Sequence, residues 1–293
     1  MVTAIVLSGG GSLGAVQAGM LLALFDAGVT ADLYVGSSVG ALNAAYLAGH
    51  PDADGARQLA RIWTLLRRED VFPTGAVRVL RAMLGRTTGL TDPGSLRQLV
   101  SRNLDYERLE DAARQVVVVA TDVLTGAEVA LGEGPTVDAV MASAALPSVF
   151  PPVTVGPRLL MDGGVVNNTP ISVAQQLGAD TIYVLPTGYA CALERPPRSA
   201  LEMGIHAVTL AIQQRLIADV AALQGSMDLR VAPPLCPLAV SPIDFTHTAL
   251  LIERARDATA TWLKQPLATD QARDLSLHDS HGPAATAASK GRR

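Results

Sequence analysis

Short apolar runs alternate with alanine-rich helical stretches at the beginning of the chain. Residues 4–7 form one apolar run and residues 32–35 a second, and each run ends in a glycine-rich turn. Helical patterns follow these turns at residues 13–27 and 39–49. Strand, tight turn and helix in that order, repeated once, predict the start of a parallel α/β sheet.

The alternation continues along the rest of the chain. Four consecutive valines at residues 116–119 lie within a predicted strand at 115–123, and such a run is typical of a strand buried on both faces. A hairpin partner is predicted at 127–131. Further strands are predicted at 159–161, 181–185 and 229–231, and helices at 136–144, 170–177, 200–223 and 246–263. The predicted fold class is α/β, with a mainly parallel sheet flanked by helices.

The segment at residues 53–110 is helical in pattern and basic in charge. Between residues 55 and 104 there are nine arginines against three acidic residues, although the whole chain has a net charge of −4. A solvated helical face that packs on the sheet explains this charge and is the interpretation we favour. A lid or a membrane-docking surface is the alternative, because residues 77–84 interleave basic and apolar side chains, as helices that bind anionic lipid do.

One large domain over residues 1–265 fits the length of the chain, with the basic helical segment as an insertion at about 53–110. Hydrophobic residues make up 49% of the 293 residues and charged residues 17%, which suffices for a sizeable core. Residues 266–293 are rich in Ala, Ser, Thr and Asp, and we expect this tail to be disordered.

The composition argues against several classes of function. A net charge of −4 gives no basis for nucleic-acid binding. The two cysteines, Cys191 and Cys236, make no disulfide framework, and no Cys/His spacing indicates zinc. No charge-free apolar stretch reaches about eighteen residues and no basic leader precedes the first strand, so we expect a cytoplasmic protein without a membrane span or signal peptide. We expect no cofactor and no metal, and no pattern indicates an oligomeric state.

The second glycine turn carries the candidate nucleophile. Its sequence, Gly36-Ser37-Ser38-Val39-Gly40, has the G-x-S-x-G pattern of a nucleophile elbow between a strand and a helix. Gly36 and Gly40 lack a Cβ, so strand and helix can pass close together, and Ser38 is left at the apex. The positive end of the next helix dipole is aimed at this position, where it would stabilise an oxyanion.

The first glycine turn supplies free backbone N–H groups, and Gly10 and Gly11 are our candidates for the oxyanion hole. A rival interpretation exists, since Gly9, Gly11 and Gly14 fit the dinucleotide fingerprint G-x-G-x-x-G. That fingerprint requires an acidic residue at the carboxyl end of the second strand. Asp32 has a suitable spacing but lies at the amino end of that strand. The sequence therefore lacks the acidic residue that nucleotide binding requires at the carboxyl end.

Together the two turns resemble those of the patatin-like phospholipase family. The family pattern continues with a distant Asp-Gly-Gly or Asp-Gly-Ala, which here is Asp162-Gly163-Gly164, preceded by a family-like segment at residues 142–152. All four pieces occur in the family's order, and the resemblance covers about residues 3–184. The family often carries Arg or Lys at the fifth position of the first turn, where this chain has Leu13, so any anion contact from that side chain is absent.

The resemblance implies a three-layer α/β/α fold and a Ser38–Asp162 dyad, in which Asp162 is the general base. The two glycines after Asp162 would let its backbone approach the serine turn. Asp122 also follows a strong strand and is the runner-up base, although turn chemistry explains it more simply. Of the five histidines, only His247 has the chain order of an α/β-hydrolase triad, but those enzymes place the nucleophile after several strands.

The resemblance also implies hydrolysis of lipid esters, with phospholipid or lysophospholipid as substrate, so the expected partner is a lipid or a membrane surface. Peripheral association with membranes agrees with that expectation. An acyltransferase or thioesterase on the same elbow is one alternative, although related carrier-protein transacylases usually have a histidine where this chain has Ser37. A non-enzymatic, membrane-associated scaffold is another. Ser143 and Pro147 either shape the site wall or form a structural loop, and Asn43 is expected to fix the elbow.

Overall fold

The computed structural model of the chain describes residues 1–73, 89–188, 196, 200–236, 238, 240–268 and 270–276. Its strands are β1 (Thr3–Leu7), β2 (Leu33–Ser37), β3 (Gln115–Asp122), β4 (Glu128–Leu131), β5 (Val153–Val155), β6 (Arg158–Asp162), β7 (Thr181–Leu185) and β8 (Asp228–Val231).

Helices follow most strands. They are α1 (Gly14–Asp26), α2 (Val39–Gly49), α3 (Ala53–Leu65), α4 (Arg68–Val71), α5 (Gly94–Asn103), α6 (Thr136–Ser143), α7 (Gly164–Asn167), α8 (Ile171–Gln176), α9 (Ala200–Leu223), α10 (Thr248–Trp262) and α11 (Gln271–Ser276). Short 3₁₀ turns lie at Gly11–Leu13 and Leu109–Asp111.

All eight strands form one mixed sheet in the order β5-β6-β3-β2-β1-β7-β8, with β4 paired to β3. The central pairs β3-β2, β2-β1, β1-β7 and β7-β8 are parallel. Strands β4, β5 and β6 pair antiparallel with their neighbours at one edge. The predicted α/β class with a mainly parallel sheet is confirmed.

The two faces of the sheet pack against separate layers of helices. Along the strands, side chains alternate between the faces, as the period of two requires. Ile5 and Val118 belong to the cluster beneath α1, α2 and α3, whereas their neighbours Val6 and Val117 belong to the cluster that includes side chains of α8, α9 and α11. The three layers α/β/α follow from this alternation, and the continuous apolar run of β3 is buried on both faces.

The ends of β2 and β6 meet on one side of β3. Ser37, the last residue of β2, pairs with Val119, and Asp162, the last residue of β6, pairs with the next residue, Ala120. At both positions β4 occupies the other side of β3. Since β2 runs parallel to β3 and β6 runs antiparallel to it, the carboxyl ends of β2 and β6 point toward each other. This register brings Asp162 next to Ser38.

The prediction of disorder over residues 266–293 is wrong for residues 271–276, which form α11. Ala272 and Leu275 are buried in the same cluster as side chains of α9. The buried Gln271 accepts a hydrogen bond of 2.7 Å from the backbone N–H of Val231 and donates one of 2.7 Å to Leu229 O, so it continues the hydrogen bonding of β8. Residues 277–293 lie outside the described residues.

The described residues of the basic segment include the helices α3, α4 and α5, joined by non-helical stretches. Residues 74–88, which include the interleaved stretch 77–84, lie outside the described residues. The choice between a solvated face and a lid or docking surface therefore stays a prediction. No helix in the described ranges combines the length and the hydropathy needed to cross a bilayer.

Candidate active site

Ser38 stands at a sharp bend between β2 and α2. Its backbone has φ 54° and ψ −124°, a positive-φ conformation that costs a residue with a Cβ about 1–3 kcal/mol. A Cβ on Gly36 would collide with the carbonyl group of Gly40, and one on Gly40 would collide with that of Leu7. Strand and helix thus approach each other as closely as the G-x-S-x-G pattern predicts.

Ser38 and Asp162 are directly hydrogen-bonded. Ser38 Oγ donates to Asp162 Oδ2 at 2.6 Å, and the backbone N–H of Gly164 donates to Asp162 Oδ1 at 2.7 Å. The carboxyl group is buried, and burial raises its pKa to about 6 although the bonds from Ser38 and Gly164 lower it. A carboxylate with a raised pKa that touches a serine hydroxyl has the position and the basicity of a general base.

Two residues of the first glycine turn line the cavity with backbone N–H groups that make no hydrogen bond within the described part of the chain. The neighbouring N–H groups of Gly9 and Ser12 are both hydrogen-bonded to backbone carbonyl oxygens. Among the residues that the structure describes, the N–H groups of Gly10 and Gly11 have no acceptor. Both glycines line the cavity that contains Ser38. The oxyanion hole predicted at these two positions therefore has the free donors that it requires.

Ser143 lies beneath the elbow. Its hydroxyl donates to Val119 O and accepts a 2.9 Å bond from the backbone N–H of Ser38. Ser143 is fully buried and does not line the cavity, and neither does the exposed Pro147. Of the two alternatives for these residues, the structure favours the structural one, because Ser143 joins the backbone of Ser38 to β3.

Asn168 is a residue of the site that the sequence analysis missed. The backbone carbonyl oxygen of Asn168 accepts a 3.0 Å bond from the N–H of Gly9. The side-chain Nδ2 of Asn168 donates a long bond of 3.4 Å to Gly9 O. A Cβ on Gly164 would lie 2.7 Å from Asn168 Oδ1 and 2.9 Å from Asp162 Oδ1, so the amide and the carboxyl group flank the same point. Nothing in the local sequence distinguishes Asn168 from the preceding Asn167.

Asn43 fixes the elbow helix, as expected. Its Nδ2 donates to Gln17 Oε1 at 2.9 Å, and its Oδ1 accepts a 3.0 Å bond from Trp63 Nε1. Gln17 in turn donates from Nε2 to Ser8 O at 2.8 Å and to Leu185 O at 2.9 Å. All three side chains are buried, and together they join α2 to α1, to α3 and to the ends of β1 and β7.

A cavity of about 1040 Å³ opens from Ser38 and Asp162. Its walls are mostly apolar and come from the first glycine turn, α2, α3, α4, α5, α6, α7, α9 and the loop before α10. Leu13, the departure from the family pattern, is one of the apolar side chains in the wall. Four cavity-lining aliphatic side chains are also exposed to solvent: Leu146, Val165, Val208 and Ile243.

Within the described part of the chain, the other candidate residues neither line the cavity nor bond to Ser38 or Asp162. Asp122 accepts N–H bonds from Thr125 at 2.9 Å and Leu124 at 3.0 Å, and the bond from Thr125 is the main reason why the pKa of that carboxyl lies below its usual range. His247 caps α10 on the surface and contacts Asp244. Asp32 directly precedes β2, at the amino edge of the sheet.

His206 is closer to the site than its sequence context indicated. It lies on α9, is half-buried and lines the cavity, whereas neither His50 nor His247 lines it. Within the described ranges, no three His, Cys, Asp or Glu side chains are grouped so that they could hold a metal ion.

The family model described as patatin-like phospholipase matches residues 5–174, more than half of the chain. The chain belongs to the patatin-like phospholipase family. The residues matched include both glycine turns, Ser38 and Asp162, so the geometry described above lies within the family domain.

Two relatives illustrate the similarity within this family. Patatin-like phospholipase domain-containing protein 6 of Mus musculus is 31% identical over 191 residues, which cover 63% of this chain and 13% of that protein. An NTE family protein of Mycobacterium tuberculosis is 31% identical over 169 residues, which cover 58% of this chain and 27% of that protein. The chain thus matches only a minor part of these relatives.

Among solved structures, VipD from Legionella pneumophila is similar to this patatin-like chain, with a TM-score of 0.50 and 15% sequence identity. The match covers 89% of this chain and 66% of VipD. At this identity the likeness supports the patatin fold and nothing further.

Proposed function

We propose that this chain is a serine acyl hydrolase that cleaves carboxylic ester bonds of lipids, with phospholipid or lysophospholipid as substrate. The observation that carries the proposal is the 2.6 Å hydrogen bond from Ser38 to a buried Asp162 at the wall of a large apolar cavity. A volume of about 1040 Å³ lies slightly above the usual range of about 300–1,000 Å³ for ligand pockets and suits an acyl chain. The family name and the names of the relatives point to the same substrate class.

In the acylation step, Ser38 Oγ bonds to the acyl carbon of the ester while its proton passes to Asp162 Oδ2. The carbonyl oxygen gains negative charge, which the N–H groups of Gly10 and Gly11 and the amino end of α2 stabilise. The carbon–oxygen bond to the alcohol then breaks, and the departing oxygen takes the proton from Asp162.

Deacylation repeats these steps with water as the nucleophile. Asp162 accepts a proton from water, the water oxygen attacks the acyl carbon, and the proton returns to Ser38 Oγ as the fatty acid leaves. No step needs a cofactor or a metal ion, so we expect full activity in the presence of EDTA.

Hydrolysis of p-nitrophenyl butyrate by the wild type and by four variants tests the dyad. Ser38→Ala should reduce the rate to background, and Asp162→Asn should reduce kcat by about 10²- to 10⁴-fold. His206→Ala tests the histidine in the cavity wall, and His247→Ala is a surface control. Loss of activity in His206→Ala equal to that in Asp162→Asn would replace the dyad by a mechanism with a histidine base.

Release of fatty acid from phosphatidylcholine and from lysophosphatidylcholine tests the substrate class. Activity on p-nitrophenyl butyrate without activity on either lipid would contradict the lipid assignment and leave the esterase assignment intact.

Peripheral association with a membrane is part of the proposal. The exposed aliphatic side chains Leu146, Val165, Val208 and Ile243 line the cavity and would meet lipid first as substrate enters. Flotation with neutral vesicles should retain the wild type and lose a Val165→Asp/Val208→Asp variant. Retention only on anionic vesicles would instead favour the basic segment at 53–110 as the docking surface.

A further inference from the structure

Two cavities that differ in their lining share a wall. The large apolar cavity of the site is one of them. The other is a groove of about 380 Å³, whose lining includes His50, Arg61, Arg102 and Asp105. Three side chains line both the cavity and the groove: Tyr46, Ile62 and Asn103. We call these three residues the partition, because they contact both spaces.

The partition lies at a distance from the nucleophile. Ser38 precedes α2 and Tyr46 lies two turns along this helix, so about 12 Å separate them at 1.5 Å per residue. Leu42 lines the cavity between them, on the same face of the helix. The cavity therefore follows α2 from Ser38 to the partition.

The two sides of the partition differ in polarity. On the cavity side it is joined by Leu59, Leu99 and Leu104, which only the cavity touches. On the groove side lie the exposed arginines Arg61 and Arg102. A methylene group gains affinity in the apolar cavity but would re-enter water among charged groups beyond the partition.

The members of the partition are held in different ways. Tyr46 donates a 3.2 Å hydrogen bond to Gln58 Oε1, and its ring stacks on His50 with centroids 4.6 Å apart. Asn103 donates a 2.8 Å bond from Nδ2 to Leu99 O. Ile62 has an aliphatic side chain and is held by packing alone. It can be shortened without leaving a hydrogen-bonding group unpaired.

We propose that the partition closes the distal end of the acyl-chain site and sets the longest acyl chain that the enzyme accepts. The proposal rests on the proposed function, since it assigns the cavity to the acyl group. Each methylene that still lies before the partition should increase affinity by about fourfold, and further methylenes should add nothing or reduce it.

Binding of n-alcohols of increasing length to the Ser38→Ala protein tests the partition without catalysis. Displacement of an apolar fluorescent dye gives the affinity for butanol, octanol, decanol, dodecanol and tetradecanol. Affinity should rise along the series and then level off. In Ser38→Ala/Ile62→Ala the point at which it levels off should move up by at least one alcohol, and in Ser38→Ala/Ile62→Phe it should move down.

Leu65→Ala in the same background is the matched control, because Leu65 lines the groove and not the cavity. It should leave the profile unchanged. Thermal unfolding shows whether the proteins with Ile62→Ala and Ile62→Phe are folded. If both are folded and have the alcohol-binding profile of Ser38→Ala alone, the proposal is overturned. Absence of binding at every chain length would overturn it as well.

Hydrolysis of p-nitrophenyl butyrate, octanoate, laurate and palmitate by the proteins with Ser38 intact then separates the two proposals. If the Ile62 variants shift the alcohol length at which affinity levels off but the wild type hydrolyses no ester, the hydrolase function is contradicted. The role of the partition in limiting chain length is then still supported. An active wild type whose chain-length optimum is unchanged in Ile62→Ala would contradict the partition alone.

Discussion

Ser38 Oγ and Asp162 Oδ2 are 2.6 Å apart because β2, which ends one residue before Ser38, and β6, which ends at Asp162, stop against adjacent residues of β3. Ser37 pairs with Val119, and Asp162 itself pairs with Ala120. The hydrogen-bonded pair is therefore aligned by the backbone register of the sheet. A change of one residue in the pairing of β6 would turn the carboxyl group to the other face of the sheet.

The raised pKa of Asp162 predicts the pH dependence of the proposed activity. A general base must be ionised, and burial raises its pKa to about 6. We expect kcat/KM on p-nitrophenyl butyrate to rise with pH through a midpoint near 6 and to be constant above it. A rate that is already constant from pH 4 to pH 8 would contradict a base with a raised pKa.

The same burial predicts that Asp162→Asn stabilises the protein at neutral pH. The folded carboxyl titrates at about 6 and an unfolded one near the ordinary 3.8, so the folded state holds more protons between these values and loses stability as pH rises through them. Chemical unfolding at pH 7.5 should show a gain of up to about 3 kcal/mol for Asp162→Asn, which disappears near pH 4.

Asp122→Asn is the control for this stability change. N–H bonds from Thr125 and Leu124 hold the pKa of Asp122 below its usual range, so its ionised form stabilises the fold. The sign is therefore opposite, and Asp122→Asn should be less stable than the wild type at pH 7.5. A loss of stability in both variants would mean that Asp162 is not penalised by burial.

Gly10→Ala should reduce kcat by about 10²- to 10³-fold, the usual effect of losing one donor from an oxyanion hole. The added methyl group would collide with the side chain of Thr187, so the turn and its N–H groups must shift. Gly204→Ala is the matched control, because its Cβ would meet no atom within 4 Å and it lies within α9. Equal rates for the two variants would remove Gly10 from the oxyanion hole.

The sequence predicted the parts of the site whose signal is local. The elbow at Ser38 and the free N–H groups of Gly10 and Gly11 depend on glycines at fixed offsets, and such offsets can be counted along the chain. The sequence predicts two elements with the bounds that the structure has, the helix Val39–Gly49 and the strand Thr181–Leu185. A glycine turn delimits the helix, and a buried apolar run delimits the strand.

What the sequence did not predict depends on contacts between distant segments. Ser143 supports the backbone of a residue 105 positions away, and its sequence context is that of any helix end. The partition combines Tyr46, Ile62 and Asn103 from three helices, and periodicity does not give the packing of helices on one another. The helix α11 is held in place by the hydrogen bond between Gln271 and Val231 of β8. No pattern within the tail sequence indicates this contact.

Asn168 offers the last prediction, because its amide lies close to the base. Asn168 Oδ1 and Asp162 Oδ1 flank the same point, within 3 Å of the Cβ position of Gly164. In Asn168→Asp a second negative charge would lie beside Asp162 and oppose its ionisation. The midpoint of the pH–rate profile should therefore rise by about one unit or more above its wild-type value, with the two carboxyl groups titrating as a coupled pair.

Asn168→Ala separates this electrostatic effect from the loss of the amide. It removes the 3.4 Å side-chain bond to Gly9 O but keeps the 3.0 Å backbone bond from Gly9 N–H to Asn168 O, so kcat should fall only modestly. It adds no charge and should leave the midpoint near 6. KM should change little in either variant, since neither shortens an apolar wall of the acyl-chain site. Equal midpoints in Asn168→Asp and Asn168→Ala would contradict the closeness of Asn168 to the base.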